Sequence, residues 1–361
     1  MEFSLTVATK IDDWQLIKYA EELGYDRAWI PDSQMIWSDC YATLALAAHN
    51  TSHIKLGTGV AIPGVRLAPV TAHSIASINR IAPGRVFLGI GTGHTAMRVM
   101  GFDPMKIRNF RDYLRIVRGL LQGEEVQITL DGRTRTTRFL HLDRGFINIT
   151  DPIPIYVAAN GPLALKTAGE FGDGLVTVFD VRPEIMQQNM AQIKAGATKA
   201  GKEIKPNNFH VTALTTAVVL KPGEKLTSER VIDECGSQVA AILHFVYEIF
   251  QYTKTAEVVP PALQDVWEEY CDYVTKMETP PEKRHLQIHN GHCTFLMPEE
   301  RRFITPKAIQ GTCIVGEPAE IVHQLRQAEN AGIKEVALLP PIDYARKVIK
   351  DFAKEVIARY R

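Results

Sequence analysis

The 361-residue chain carries 41 basic and 41 acidic side chains, so it has no net field with which to attract nucleic acid or an anionic membrane surface. Its hydrophobic fraction of 45% is that of a globular protein, and no apolar run approaches the length needed to span a bilayer. Cys40, Cys235, Cys271, Cys293 and Cys313 are widely spaced without a Cys-x-x-Cys pair, which fits a reducing, cytoplasmic setting; Met1 leads straight into a strand-like run with no targeting segment.

Short β-branched runs alternate with helical stretches from the first residues, the pattern of a parallel sheet wrapped by helices. The first strand is predicted from Phe3 to Thr9, and the helix after it from Asp13 to Leu23, where Gly24 supplies a left-handed stop. Strand two, RAWIPD, ends at Asp32. A helix around Tyr41 to His49 leads into strand three, IKLGTGVAI, and a helix from Pro69 to Ile81 into strand four, RVFLGIGTG. Helix four runs from about Met105 to Leu121. The polar stretch Glu124 to Asn148 reads as an inserted hairpin whose strands are VQITL and FLHL.

Strand five is IPIYVAAN, followed by a helix from Leu163 to Phe171; strand six is GLVTVF, followed by a helix from Pro183 to Ala200 that Gly201 closes. Strand seven is HVTALTTAVVL. A helix starting near Pro318, strand eight from Glu335 to Pro340 and a terminal helix from Tyr344 to Tyr360 complete the count. Eight β/α units predict a (β/α)8 TIM barrel as a single domain over 1–361, with a doubly wound open sheet as the alternative topology. Such a barrel needs about 250 residues, and the segment from Lys221 to Gly311 accounts for most of the excess. It reads as a helical insertion after strand seven, with helices in SQVAAILHFVYEIFQY and LQDVWEEYCDYVTKM separated by Pro260-Pro261 and Pro280-Pro281.

Catalytic groups of a β/α barrel gather where the strands end. The predicted strand ends place Asp32 and Ser33, then Gly59, Val60 and Ile62, then Gly91, Thr92, Gly93 and His94, then Asn160 and Gly161, and finally Val178 and Phe179 on one face. This floor is rich in glycine and poor in ionisable groups. It suits a flat polycyclic ligand, because glycine lets the backbone approach a ring or phosphate closely. GIGTGH at 89–94 departs from the dinucleotide spacing G-x-G-x-x-G, so a nicotinamide dehydrogenase is disfavoured.

The runs AWIPDS, IKLGTGVAIPGVRLAPVTAHSIA, RVFLGIGTG, IPIYVAANGP and LKTAGEFGDGLV, with TCIVGEPAEIVHQLRQAENAGIKEVAL near the end, resemble the bacterial-luciferase-like superfamily. Within it, they are most similar to the coenzyme F-420-dependent methylenetetrahydromethanopterin reductases. The resemblance covers roughly the first 200 residues and the terminal unit. It implies a 5-deazaflavin, coenzyme F-420, lying over a bulge in strand three with a non-prolyl cis peptide at Gly59-Val60. It also implies Asp32 beside the ring edge, Asn160, Gly161 and Pro162 on the phosphate side, and a homodimer formed through the early barrel helices. Ser33 stands where the deazaflavin-dependent relatives usually carry histidine, so FMN is the alternative cofactor.

Asp32 and His94 are the candidate catalytic residues, Asp32 as a ring-positioning or protonating group that also suits a turn cap, and His94 as proton donor or ring contact. Arg66 suits an anion or a surface ion pair. Asp173 precedes strand six and is structural. His285, His289 and His292 lack an H-E-x-x-H pattern, and HLQIHNGHCTF reads as partly extended, so no metal is assigned. Phe245, Tyr247, Phe250 and Tyr252 read as a core stripe. The expected activity is hydride transfer with a small organic cosubstrate; an FMN monooxygenase using oxygen, or a non-catalytic flavin-binding barrel, are the alternatives.

Overall fold

The computed structural model describes residues 1–8, 10–205 and 208–361. Thr9, the predicted end of the first strand, lies outside them. The strands in chain order are β1 (Glu2–Thr6), β2 (Arg27–Ile30), β3 (Lys55–Ala61), β4 (Val86–Ile90), β5 (Val126–Leu130), β6 (Arg133–Thr137), β7 (Ile155–Ala158), β8 (Gly174–Val178), β9 (His210–Thr215), β10 (Ala217–Val219), β11 (Ile314–Gly316) and β12 (Glu335–Leu338). The parallel strands β1, β2, β3, β4, β7, β8, β9 and β12 close a barrel, as predicted, with β12 pairing back onto β1.

Both faces of these strands are covered, which is why they read as near-continuous apolar runs. Outside, helices turn one stripe inward; Ile107–Leu121 buries Phe110, Tyr113, Leu114, Val117 and Leu121 at helical spacing. Inside, Trp29, Phe87 and Tyr156 fill the lumen with ring centroids 4.4 to 5.9 Å apart. Glycines make room for them: a Cβ on Gly57 would lie 2.2 Å from the Phe87 ring, and one on Gly89 2.7 Å from Trp29.

At the N-terminal ends of the strands a buried ionic cluster seals the barrel. Glu335 is fully buried and accepts hydrogen bonds from Trp29 Nε1 (2.6 Å) and Thr212 Oγ1 (2.9 Å), with His210 Nε2 at 2.6 Å and Arg27 Nε at 3.4 Å. Arg27 also bonds Glu2 at 2.5 Å. A depression of about 680 Å³ beside this cluster is walled by Met186, Met190 and Phe209. It lies at the end of the barrel opposite the strand ends where barrel chemistry gathers, and is a structural feature.

Three predicted elements differ. The hairpin pairs β5 with RTRTT rather than FLHL, around the two-residue turn Asp131-Gly132, both at positive φ (49° and 71°). Strand seven breaks at Thr216: β9 stays in the barrel, whereas β10 pairs with β11 outside it. The segment around His285 is a short helix, Arg284–Ile288, followed by turns, not an extended run.

The insertion supplies the long helix Glu229–Thr253 and the helix Trp267–Thr275. They bury their own cluster, including Val239, Leu243, Tyr270 and Phe303. No helix among the described residues is long and apolar enough to cross a membrane.

Candidate active site

The C-terminal ends of the barrel strands open into a cavity of about 440 Å³. Asp32 and Ser33 beyond β2, Gly59, Val60 and Ile62 on and beyond β3, Gly91, Thr92, Gly93 and His94 beyond β4, and Asn160 and Gly161 beyond β7 all line it. Pro162 opens the adjoining helix Pro162–Phe171. Val178 instead lines a neighbouring cavity that shares Asn160, Gly161, Phe245 and Ile249 with the first. Phe179 packs against the barrel's apolar cluster and is not among the residues lining either cavity.

The floor owes its shape to β3. Register between β3 and β4 slips between Thr58 and Ala61, and the Gly59-Val60 peptide within this bulge is cis. Gly59 is required by packing, since a Cβ there would sit 2.6 Å from that of Trp29. Gly93, at φ 83°, makes the left-handed turn that starts the short helix His94–Arg98, an element absent from the sequence expectation. Gly161 differs from both: its φ of −92° suits any residue, and a Cβ there would meet nothing within 4 Å. It is bare toward the cavity, at the N-terminus of a ten-residue helix that favours an anion.

Asp32 is 3% exposed and is held by two donors, the guanidinium of Arg66 and the Ile62 amide at 3.4 Å. Arg66 also reaches Asp39 at 3.1 Å and lies over the Tyr41 ring. It is therefore neither a free anion site nor a surface ion pair; it fixes the Asp32 carboxylate at the cavity wall. Asp173, at the other end of β8, bonds Arg118 and the Ile155 amide and is structural, as expected.

His94 packs its ring edge-on to Phe245, with Nδ1 3.3 Å from Glu248 Oε2 but not aligned for a hydrogen bond. Burial, reinforced by Arg98 and His289, outweighs Glu248 and lowers its pKa, so the imidazole is neutral near pH 7. Burial raises the Glu248 carboxyl, but the hydrogen bond with His289 and the nearby imidazoles outweigh it and hold its pKa below the ordinary value.

The insertion closes the cavity. Phe245, Ile249, His292 and Cys293 form its outer wall, with Trp37 and Leu214 from the barrel side. Phe245 thus faces the ligand space rather than the core, and Tyr252 is 83% exposed, so only part of the aromatic stripe is core. Behind this wall His244, His289 and His292 meet, each offering a ring nitrogen within 4.8 Å of the others. His285 is not one of them; it lies beside Gly101. The sequence signal for this cluster is His244 and Glu248 one helical turn apart on an otherwise apolar face.

Residues 12–335 match the family model described as luciferase-like monooxygenase. A 5,10-methylenetetrahydromethanopterin reductase of Methanolobus tindarius is 38% identical over 217 residues, an alignment that spans 58% of this chain and only 62% of that protein. One from Archaeoglobus fulgidus is 34% identical over 367 positions, covering 100% of both chains. The structure of a coenzyme F-420-dependent tetrahydromethanopterin reductase from Methanopyrus kandleri shares the fold, with a TM-score of 0.72 at 23% identity over 100% of this chain and 99% of that one. The barrel, the bulged third strand and these matches together place the chain in the luciferase-like monooxygenase family.

Proposed function

We propose that the chain is a coenzyme F-420-dependent oxidoreductase transferring a hydride to or from a small organic cosubstrate. The observation that carries this reading is the convergence of Asp32, Gly59-Val60, Gly91 to His94 and Asn160-Gly161 on one cavity, in a chain similar along its whole length to a methylenetetrahydromethanopterin reductase. The residues fit such a group. Val60, Gly91 and Ala158 make a narrow apolar floor for a planar ring, a Cβ on Gly91 falling 3.1 to 3.2 Å from its neighbours. Gly161 leaves a bare helix N-terminus for a phosphate.

When bound, the deazaflavin supplies the hydride chemistry. Asp32, fixed by Arg66, orients the ring edge, with Ser33 beside it. Gly59, Val60, Ile62, Gly91, Thr92 and Gly93 would support the ring, and Asn160, Gly161 and Pro162 would hold the phosphate side, with Val178 in the adjoining cavity. His94, neutral at pH 7, exchanges a proton with the cosubstrate. The insertion at 221–311 belongs to the same catalytic unit; its Phe245 and Ile249 exclude water and shape the substrate space. A cytoplasmic location is supported by five free cysteines. A homodimer through the early barrel helices is supported by Leu46, Leu67, Val70 and Ile81, which are 38 to 53% exposed on those helices or their caps.

Titration of the purified chain with the deazaflavin and with FMN, followed by oxygen-uptake measurements on the reduced complexes, tests the reading. Tighter binding of the deazaflavin without oxygen consumption is expected. Preference for FMN with oxygen consumption would transfer the protein to the monooxygenase branch, and binding of neither would make it a non-catalytic barrel.

A further inference from the structure

Three imidazoles from two parts of the insertion converge behind the cavity wall: His244 in the helix Glu229–Thr253, and His289 and His292 in the turns after Arg284–Ile288. Their ring centroids are 5.5 to 6.3 Å apart. His244 and His289 are 1% and 4% exposed; His292 is half-buried and faces the cavity.

Each buried ring is anchored from behind. Nε2 of His244 lies 2.8 Å from Oε1 of Glu300, which is 3% exposed, and Nε2 of His289 lies 2.8 Å from Oε1 of Glu248. A carboxylate accepts, so Nε2 carries the proton and Nδ1 keeps the lone pair. The Nδ1 atoms of His244, His289 and His292 are all buried and have no hydrogen-bond partner. Buried polar atoms are ordinarily satisfied, so three unpartnered ring nitrogens in one histidine cluster, at least two of them acceptors, require an explanation. A carboxylate holding the far nitrogen of a histidine is also how metal ligands are oriented. The other carboxylate and histidine group, Glu2, Glu335 and His210, shows the contrast, because Arg27 already neutralises it.

We propose that His244, His289 and His292 bind a divalent transition-metal ion of the zinc class, with its open coordination position turned toward the substrate cavity. Three imidazoles plus one exchangeable position is the donor set of a catalytic rather than a purely structural zinc site. The three residues already offer ring nitrogens within 4.8 Å of one another, and metal–nitrogen bonds of about 2.0 to 2.1 Å would draw tetrahedral donors to roughly 3.3 Å. An oxygen of the small cosubstrate is the ligand chemistry that the open position takes. The site does not depend on which flavin the cavity holds.

The test uses the full chain, stripped with a chelator and free of cofactor, titrated with Co²⁺ and then Zn²⁺. One equivalent per chain is expected, with the visible spectrum of four-coordinate Co²⁺ that Zn²⁺ displaces. His292→Ala should weaken uptake at least 100-fold, and Glu300→Gln about 10- to 100-fold, as loss of such a supporting carboxylate does elsewhere. Absence of binding by the stripped wild type, a six-coordinate Co²⁺ spectrum, or uptake unchanged in both variants would overturn the proposal. Should a variant fail to fold by circular dichroism, the wild-type stoichiometry and spectrum alone decide.

Discussion

Gly161 offers a clean test of where the negative charge of the proposed cofactor lies. Asp and Asn cap helices about equally well, each better than Gly by a few tenths of a kcal/mol. The site accepts either, since its φ of −92° is ordinary and a Cβ there meets nothing within 4 Å. Gly161→Asp and Gly161→Asn should therefore unfold at or slightly above the wild-type temperature. They differ only in charge. A carboxylate about 4 Å from a phosphate costs about 1 kcal/mol in water and about 4 kcal/mol at the effective dielectric of a protein surface. At 1.4 kcal/mol per tenfold, that is a weakening of about 5-fold to about 1000-fold. Because residue 161 is exposed, the expected value is about 10- to 100-fold between the two variants. Fluorescence titration of the deazaflavin at low salt and near 1 M salt measures it; the difference should shrink where the Debye length falls to about 3 Å. Equal affinities for the Asp and Asn variants would remove the phosphate from this helix N-terminus.

Glu335→Gln should destabilise the fold by about 3 to 5 kcal/mol at neutral pH, since it leaves the buried Arg27 and His210 without their central partner. Burial raises this carboxyl, but His210 and Arg27 outweigh burial and hold it at about 2 against an ordinary 4.5. A depressed pKa contributes stability above the unfolded value and loses it as pH falls, here between 4.5 and 2, an amount of roughly 3 kcal/mol. Urea unfolding across that window should show a steeper acid loss in the wild type than in the variant; parallel curves would contradict the assignment. Asp32→Ala should lower turnover by 10-fold or more while costing about 1 to 3 kcal/mol of stability, because Arg66 retains Asp39; unchanged turnover with cofactor bound would leave Asp32 as a cap. Phe245→Ala should raise KM for the cosubstrate more than it weakens the deazaflavin, and hydrogen exchange in 239–250 should slow on substrate addition. Protection confined to the opposite barrel face would sink that role for the insertion.

Period and punctuation alone determined much of this protein. β-branched runs bounded by Gly and Pro mark each barrel strand, and because strand ends in a parallel barrel share one face, they also mark Asp32, Gly59, His94 and Gly161 as neighbours before any coordinates exist. The hairpin partner was legible too: Asp131-Gly132 is a two-residue turn signal, and weighing it over the alternation of FLHL yields the pairing found. Other features have no local signature. HVTALTTAVVL is β-prone throughout, and its break at Thr216 arises only because the Thr216 carbonyl accepts from Ile314, nearly a hundred residues on. Arg66 meets Asp32 across 34 positions, and His244 meets His289 across 45, with Glu300 further still. Spacing within one segment cannot report such contacts, since the ring nitrogens are brought together by the packing of separate parts of the insertion on one another. Tertiary structure alone decided that histidines scattered through a helical insertion would become one cluster beside the cavity at the strand ends.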